Sequence, residues 1–103
     1  MSKYQNIDIK VTGVSPEGTQ SVTGVFKMVD TYGLPLDIII DQLKDRGMMP
    51  DWIDFYDQAI SVGWKPKGVI SKLSEAIIDV YGIDFYTGWL SRMEEYTTLK
   101  AAL

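Results

Sequence analysis

The pattern of the chain becomes helical in residues 35–47, which read PLDIIIDQLKDRG. Apolar side chains recur there at spacings of three and four, as on one face of a helix. This apolar stripe consists of Leu36, Ile39, Ile40 and Leu43. Pro35 suits the first position of a helix. Lys44, Arg46 and Gly47 suit its C-terminal end. The stretch therefore predicts an amphipathic helix whose apolar stripe packs against another element.

The residues upstream of this helix predict a β-hairpin over residues 1–30. β-forming residues alternate in part on both sides of a Pro-then-Gly turn signal at residues 15–18. The first strand would carry Tyr4, Ile7, Ile9 and Val11, and the second Val22, Val25, Phe26 and Met28. One face of this hairpin would be apolar, so we expect the helices to cover it.

The residues downstream predict three more helices, which complete a helical part over residues 34–103. The second helix begins after Pro50 and ends at Gly63. The third runs from Pro66 to Gly82, and the fourth begins at Asp84, a residue that favours the N-cap position. Their inward positions are Trp52, Phe55, Tyr56, Ala59, Ile60, Val69, Ile70, Leu73, Ile77, Val80, Phe85, Trp89, Met93 and Tyr96. We therefore predict one α+β domain over residues 1–103, an N-terminal β-hairpin packed on a bundle of three to four short helices.

Composition excludes several classes of site. The chain has 103 residues, 46% of them hydrophobic, and it contains neither Cys nor His. Disulfides, thiol nucleophiles, imidazole catalysis and zinc sites built from Cys or His are therefore absent. No apolar run approaches the roughly 20 residues of a membrane span, so we expect a cytoplasmic protein without membrane contact. The net charge of −4 is uneven, because residues 34–63 carry six Asp against two basic residues.

Residues 26–37 read FKMVDTYGLPLD. This stretch resembles a segment of alanyl-tRNA synthetases in which Phe and Lys precede Asp-Thr-Tyr-Gly, a Pro and a hydrophobic-Asp pair. The resemblance extends over residues 26–55, where the further matching residues are Leu43, Gly47, Asp51 and Phe55. Val29 and Leu34 depart from it, since the family has aromatic residues at those positions.

In that family the segment belongs to the helical region after the aminoacylation core, which is associated with recognition of the tRNA acceptor stem. The resemblance therefore implies contact with tRNA and not catalysis. The chain has no stretch like the ATP-binding motifs of the core, and it lacks the His and Cys ligands of the editing domain. A structural explanation is also open, because Asp30 and Thr31 suit a turn and Gly33 can take a positive φ.

Residues 51–81 have the spacing of a helix-turn-helix, with small Ala59, Gly63 in the turn and apolar Val69. The residues that would then face nucleic acid are Lys65, Lys67, Ser71 and Lys72. The preceding helix is lined with Asp, which opposes phosphate binding. Two helices joined by a Gly-containing turn are also ordinary helical packing. Nucleic-acid binding is therefore the alternative interpretation.

The acidic residues between positions 37 and 57 do not indicate a metal site. They are Asp37, Asp41, Asp45, Asp51, Asp54 and Asp57. Their order is not that of a calcium loop, and recurrence at helical intervals is typical of a solvated helix face. A Gly-rich phosphate loop is missing too. We predict no catalytic residues, no metal and no cofactor.

Trp64 is the leading candidate for a contact with a partner. It lies between the second and third predicted helices, next to Lys65 and Lys67. An exposed Trp64 would anchor a partner protein, whereas a buried one would cap the core. Met48 and Met49, in the preceding connection, would extend the surface. We predict a small non-enzymatic binding or regulatory protein with a protein partner, of a kind that suits a phage or mobile-element accessory protein.

Overall fold

The computed structural model describes residues 9–102. Its elements in chain order are strands β1 (Val11–Val14) and β2 (Gln20–Val22), helices α1 (Val25–Asp30) and α2 (Leu36–Asp45), strand β3 (Met48–Pro50), and helices α3 (Trp52–Ser61), α4 (Pro66–Tyr81) and α5 (Ile83–Ala102). The fold is α+β, and the predicted fold class is confirmed.

The sheet has the order β1-β2-β3. β1 and β2 form the predicted antiparallel hairpin, and its turn contains Gly18 with a φ of 90°. β3 was not predicted and pairs with β2 in parallel, with Gln20 opposite Met48. The segment that joins these two parallel strands contains α1 and α2.

The second strand of the hairpin is shorter than predicted. Val25, Phe26 and Met28 lie in helix α1 and not in a strand. Gly24, with a φ of 88°, turns the chain out of β2, and the buried residues that follow have helical spacing. Tyr4 and Ile7 lie outside the described residues.

The expectation that the helices cover an apolar face of the hairpin is wrong for β1. Val11 is 52% exposed and Val14 is 64% exposed, and Ile9 just before the strand is also exposed. Residues of α1 and α2 bury their apolar side chains against the later helices instead, and β1 contributes nothing to the core.

Helix α2 confirms the predicted stripe. Its buried residues are Leu36, Ile39, Ile40 and Leu43. Pro35 is the N-cap and not the first helical residue, with a ψ of 130° that leads the chain into the helix. Gly47 follows the C-terminus with a φ of 72°, a conformation that glycine adopts at low cost.

The three later helices form where the sequence predicts them, but the predicted N-cap at Asp84 is wrong. Asp51 caps α3 by accepting a hydrogen bond from the N–H of Asp54 at 3.1 Å. α5 begins at Ile83, so Asp84 lies in its first turn, where a negative charge suits the helix dipole. α4 packs against α2, α3 and α5 and is the centre of the helical layer. No helix among residues 9–102 is both long and apolar enough to cross a membrane.

Candidate functional site

Trp64 lies in the connection between α3 and α4 and is half-buried. Its ring meets the ring of Phe26 edge-on, with centroids 5.2 Å apart. Phe26 meets Phe55 in the same way at 5.2 Å. The backbone N–H of Trp64 donates to the carbonyl of Ala59 at 3.0 Å. One side of the indole therefore caps the core, as one of the two interpretations of the sequence holds, and the other side remains at the surface.

The lysines singled out in the sequence differ in whether they contact this indole. Lys72 lies over the ring, with its Nζ 5.8 Å from the centroid, in a cation–π contact. Lys65 is the N-cap of α4, and Lys67 is in its first turn. Both are exposed, as is Ser71. The structure thus brings Trp64 and Lys72 together and leaves Lys65 and Lys67 in solvent beside them.

Val62 adds an apolar contact area that sequence reasoning missed. It is the C-cap of α3, two residues before Trp64, and it is 56% exposed. The sequence could have indicated its exposure, because Val62 does not belong to the buried face of α3. We define the Trp64 surface as the half-buried Trp64 together with the exposed residues Val62, Lys65, Lys67 and Lys72.

Met48 and Met49 do not belong to a connection. They form β3 with Pro50, and their backbones pair with Gln20 and Ser21 of β2. Both are half-buried, and Met48 packs against the core. The prediction that they lie in a connection is wrong, because they pair with β2 in the sheet.

The residues with helix-turn-helix spacing occupy positions that suit that motif. Ala59 and Val69 are fully buried, and Gly63 has a φ of 100°. The exposed side of α4 changes sign along its length, however. Lys67 and Lys72 in its first half give way to exposed Glu75 and Asp79 in its second half. Only the first turns of α4 are therefore electrostatically suited to phosphate.

A second exposed area lies on α2 and was not predicted. An apolar hollow of about 150 Å³ is lined in part by Met28, Leu34, Pro35 and Ile38. Ile38 is 51% exposed although it stands between buried positions of the helix. The sequence offers one signal for this exposed area. Ile38 is the isoleucine of residues 38–40 that does not belong to the apolar stripe of the helix.

Asp54 of α3 is partly buried beside the turn that precedes α1. Burial raises the pKa of Asp54, and the charges of Asp51 and Asp57 raise it further. A hydrogen bond from the Gly24 N–H, 3.4 Å from Oδ2, acts in the opposite direction. The carboxylate of Asp54 thus hydrogen-bonds the turn before α1, although burial disfavours its charged form. We therefore assign it a structural role.

Asp54→Asn is expected to stabilise the protein at neutral pH. The folded pKa lies above the unfolded one, so folding favours the protonated form, and stability falls as pH rises from about 3.8 through the folded pKa. Asn still accepts from Gly24 but carries no charge. We therefore expect the melting temperature of Asp54→Asn to lie above that of the wild type at about pH 7.

The measurement is thermal unfolding of Asp54→Asn and wild type at neutral and acidic pH. The gain should vanish near about pH 3, where both proteins are uncharged at this position. Asp79→Asn, which removes an exposed charge, is the matched control. A gain that persists unchanged in acid would contradict the assignment.

No protein-family model matches the chain, and no solved structure matches it. The alanine–tRNA ligase of Ehrlichia canis is 38% identical over 52 residues, which are 50% of this chain and 6% of that protein. The alanine–tRNA ligase of Parvibaculum lavamentivorans is 30% identical over 100 residues, covering 86% of this chain and 11% of that protein. The one of Ehrlichia chaffeensis is 52% identical over 33 residues, covering 32% of this chain and 4% of that protein.

The chain thus spans 11% or less of the length of these curated relatives. The matches agree with the resemblance carried by residues 26–55 of the sequence. The chain resembles a segment of alanine–tRNA ligases, at 30–52% identity over parts of its length.

Proposed function

We propose that the chain is a non-enzymatic binding module that recognises a protein partner through the Trp64 surface. The observation that supports this most is the indole itself, which Phe26 holds edge-on at 5.2 Å and which is only partly buried. A side chain already fixed in the free protein loses little entropy on binding. Trp is also enriched among the residues that dominate binding energy at interfaces.

The charges of the Trp64 surface favour a partner with a compact acidic patch. Lys65 and Lys67 are exposed beside the indole, and Val62 supplies apolar area next to them. The acids that follow on α4, Glu75 and Asp79, limit the basic area to the first turns of the helix. Such a short basic area suits carboxylates on a protein better than the extended phosphate backbone of a duplex.

The test is capture of partners by the tagged protein from a lysate of the cells in which it occurs, with half of the sample treated with nuclease. We expect captured proteins to survive the nuclease treatment. Lys65→Glu combined with Lys67→Glu should weaken capture at least about fivefold, which corresponds to about 1 kcal/mol. Trp64→Phe, which keeps the aromatic contact with Phe26, should weaken it as well.

Arg92→Glu is the matched control for charge, because Arg92 is exposed on α5. It should leave capture unchanged, and all variants should melt cooperatively. Capture that disappears with nuclease, or that falls equally in Arg92→Glu, would contradict the proposal.

Binding of tRNA is a second candidate, favoured by the resemblance to alanine–tRNA ligases. The groups available to phosphate would be Lys65, Lys67, Ser71 and Lys72. A gel shift with total tRNA that weakens steeply with salt, and is lost in the double Lys→Glu variant, would place this candidate first.

A cytoplasmic location and a phage or mobile-element origin also belong to the proposal, since either would suit a small accessory module.

A further inference from the structure

We infer that the outer side of α2 is a docking surface for a basic amphipathic segment of a partner protein. This α2 surface adjoins the Trp64 surface at Lys72 and combines an apolar hollow with an acidic rim. The apolar part is formed by Met28, Leu34 and Ile38, and the rim by Asp37, Asp41, Glu75 and Asp79.

The hollow suits an apolar side chain. Its volume is about 150 Å³, half or less of the roughly 300 Å³ at which small-molecule sites begin. Ile38 is 51% exposed on its edge, and Leu34 is half-buried. Isolated apolar residues at a surface are common, but here Ile38 lines a hollow together with Met28 and Leu34, so a single apolar side chain can be seated beside it.

The acidic rim is continuous with the hollow. Ile38 and Gln42 line the hollow and also an adjoining concavity that contains Asp37, Asp41 and Asp79. Asp37 and Asp79 reach in turn into a third concavity, which Glu75 also lines. A segment seated on Ile38 therefore lies within reach of several carboxylates.

The charge balance of this surface identifies the chemistry of its occupant. The four acids of the rim outnumber the three cations nearby, which are Lys72, Arg46 and Lys44, whose Nζ donates to the carbonyl of Val80 at 3.1 Å. Lys72 also lies over the ring of Trp64, so it stands at the border between the two surfaces. The net negative field favours Lys or Arg residues on the occupant and repels nucleic acid. Aliphatic anchors flanked by basic residues are the complement of this surface, as when a helix binds in a groove.

The test uses a random-peptide display library selected against the intact, folded chain. We expect the enriched sequences to carry Lys or Arg on both sides of an aliphatic residue. A synthetic copy of the most enriched peptide should bind at least about tenfold more weakly to Ile38→Ser and to Asp37→Lys, measured by fluorescence anisotropy. Its affinity should also fall as salt rises from about 50 to about 300 mM.

Three controls make the result specific. Ile53→Ser removes an exposed isoleucine of α3, and Glu94→Lys reverses an exposed charge of α5. Neither should change the affinity. Lys67→Glu should not either, which separates this surface from the proposed function of the Trp64 surface.

The proposal is overturned by any of four results. Enriched peptides that are acidic or neutral, or no enrichment at all, would show that the surface does not select basic segments. Equal binding to Ile38→Ser would place the site elsewhere. A concentration-dependent dimer in sedimentation experiments, lost in Ile38→Ser, would show that the occupant is a second copy of the chain.

Discussion

Ile40→Asp is expected to abolish folding or to remove most of the stability of the protein. Ile40 is 0% exposed and faces the core from the middle of α2. An unpaired carboxylate there costs several kcal/mol, against a total stability of about 5–15 kcal/mol for a typical domain. In urea unfolding followed by circular dichroism, the midpoint should shift to a much lower urea concentration, or no cooperative transition should be seen.

The neighbouring Asp41→Ala is the control for this variant. Asp41 is exposed, and surface changes of this kind stay within about 0.5 kcal/mol. Similar urea midpoints for the two variants would mean that the wrong face of α2 has been placed inward.

Trp89→Ala is expected to produce the second large effect, by releasing α5 from the rest of the protein. Trp89 is 1% exposed, and with Met93 it is one of the two buried residues of α5. Its ring lies edge-on to Trp52 of α3, with centroids 6.2 Å apart. Truncating a buried Trp to Ala costs about 3–5 kcal/mol, so the urea midpoint should fall sharply.

Leu99→Ala tests whether this loss is specific to the buried position. Leu99 lies near the end of α5 and is mostly exposed, so its truncation should have little effect. Hydrogen exchange adds a local measurement, since Trp89→Ala should lower protection in α5 more than in α2. Equal protection losses in both helices would show that α5 does not open independently.

The parts of the fold that sequence predicts are those with a long, regular pattern. The stripe of α2 and the apolar faces of α3 and α4 follow helical spacing over several turns, and the structure buries most of their residues. α1 has only six residues, too few to distinguish a buried helix from a strand by periodicity. Its Val and Phe favour strands, but Gly24 and the packing of α1 on α3 override that preference.

Non-local contacts explain what sequence could not predict. β3 has three residues and exists because β2 lies beside it, and no local pattern shows that pairing. At the candidate site, sequence identified Trp64 and its lysines, but the burial of Trp64 depends on Phe26, far away in the chain. The exposure of Ile38 likewise depends on where α2 packs.

The parallel pairing of β2 with β3 also limits how residues 26–55, the segment that resembles alanine–tRNA ligases, can be exchanged between proteins. Residues 26–55 include β3 but not β2. The N–H of Gln20 donates to the carbonyl of Gly47 at 2.9 Å, and the N–H of Asp51 donates to the carbonyl of Val22 at 2.7 Å. A fragment cut at residue 26 would lose both partners, leaving the Gly47 carbonyl and the Asp51 N–H without these bonds. A recombination event or a designed chimera that preserves this architecture must therefore carry the chain from Gln20 onward.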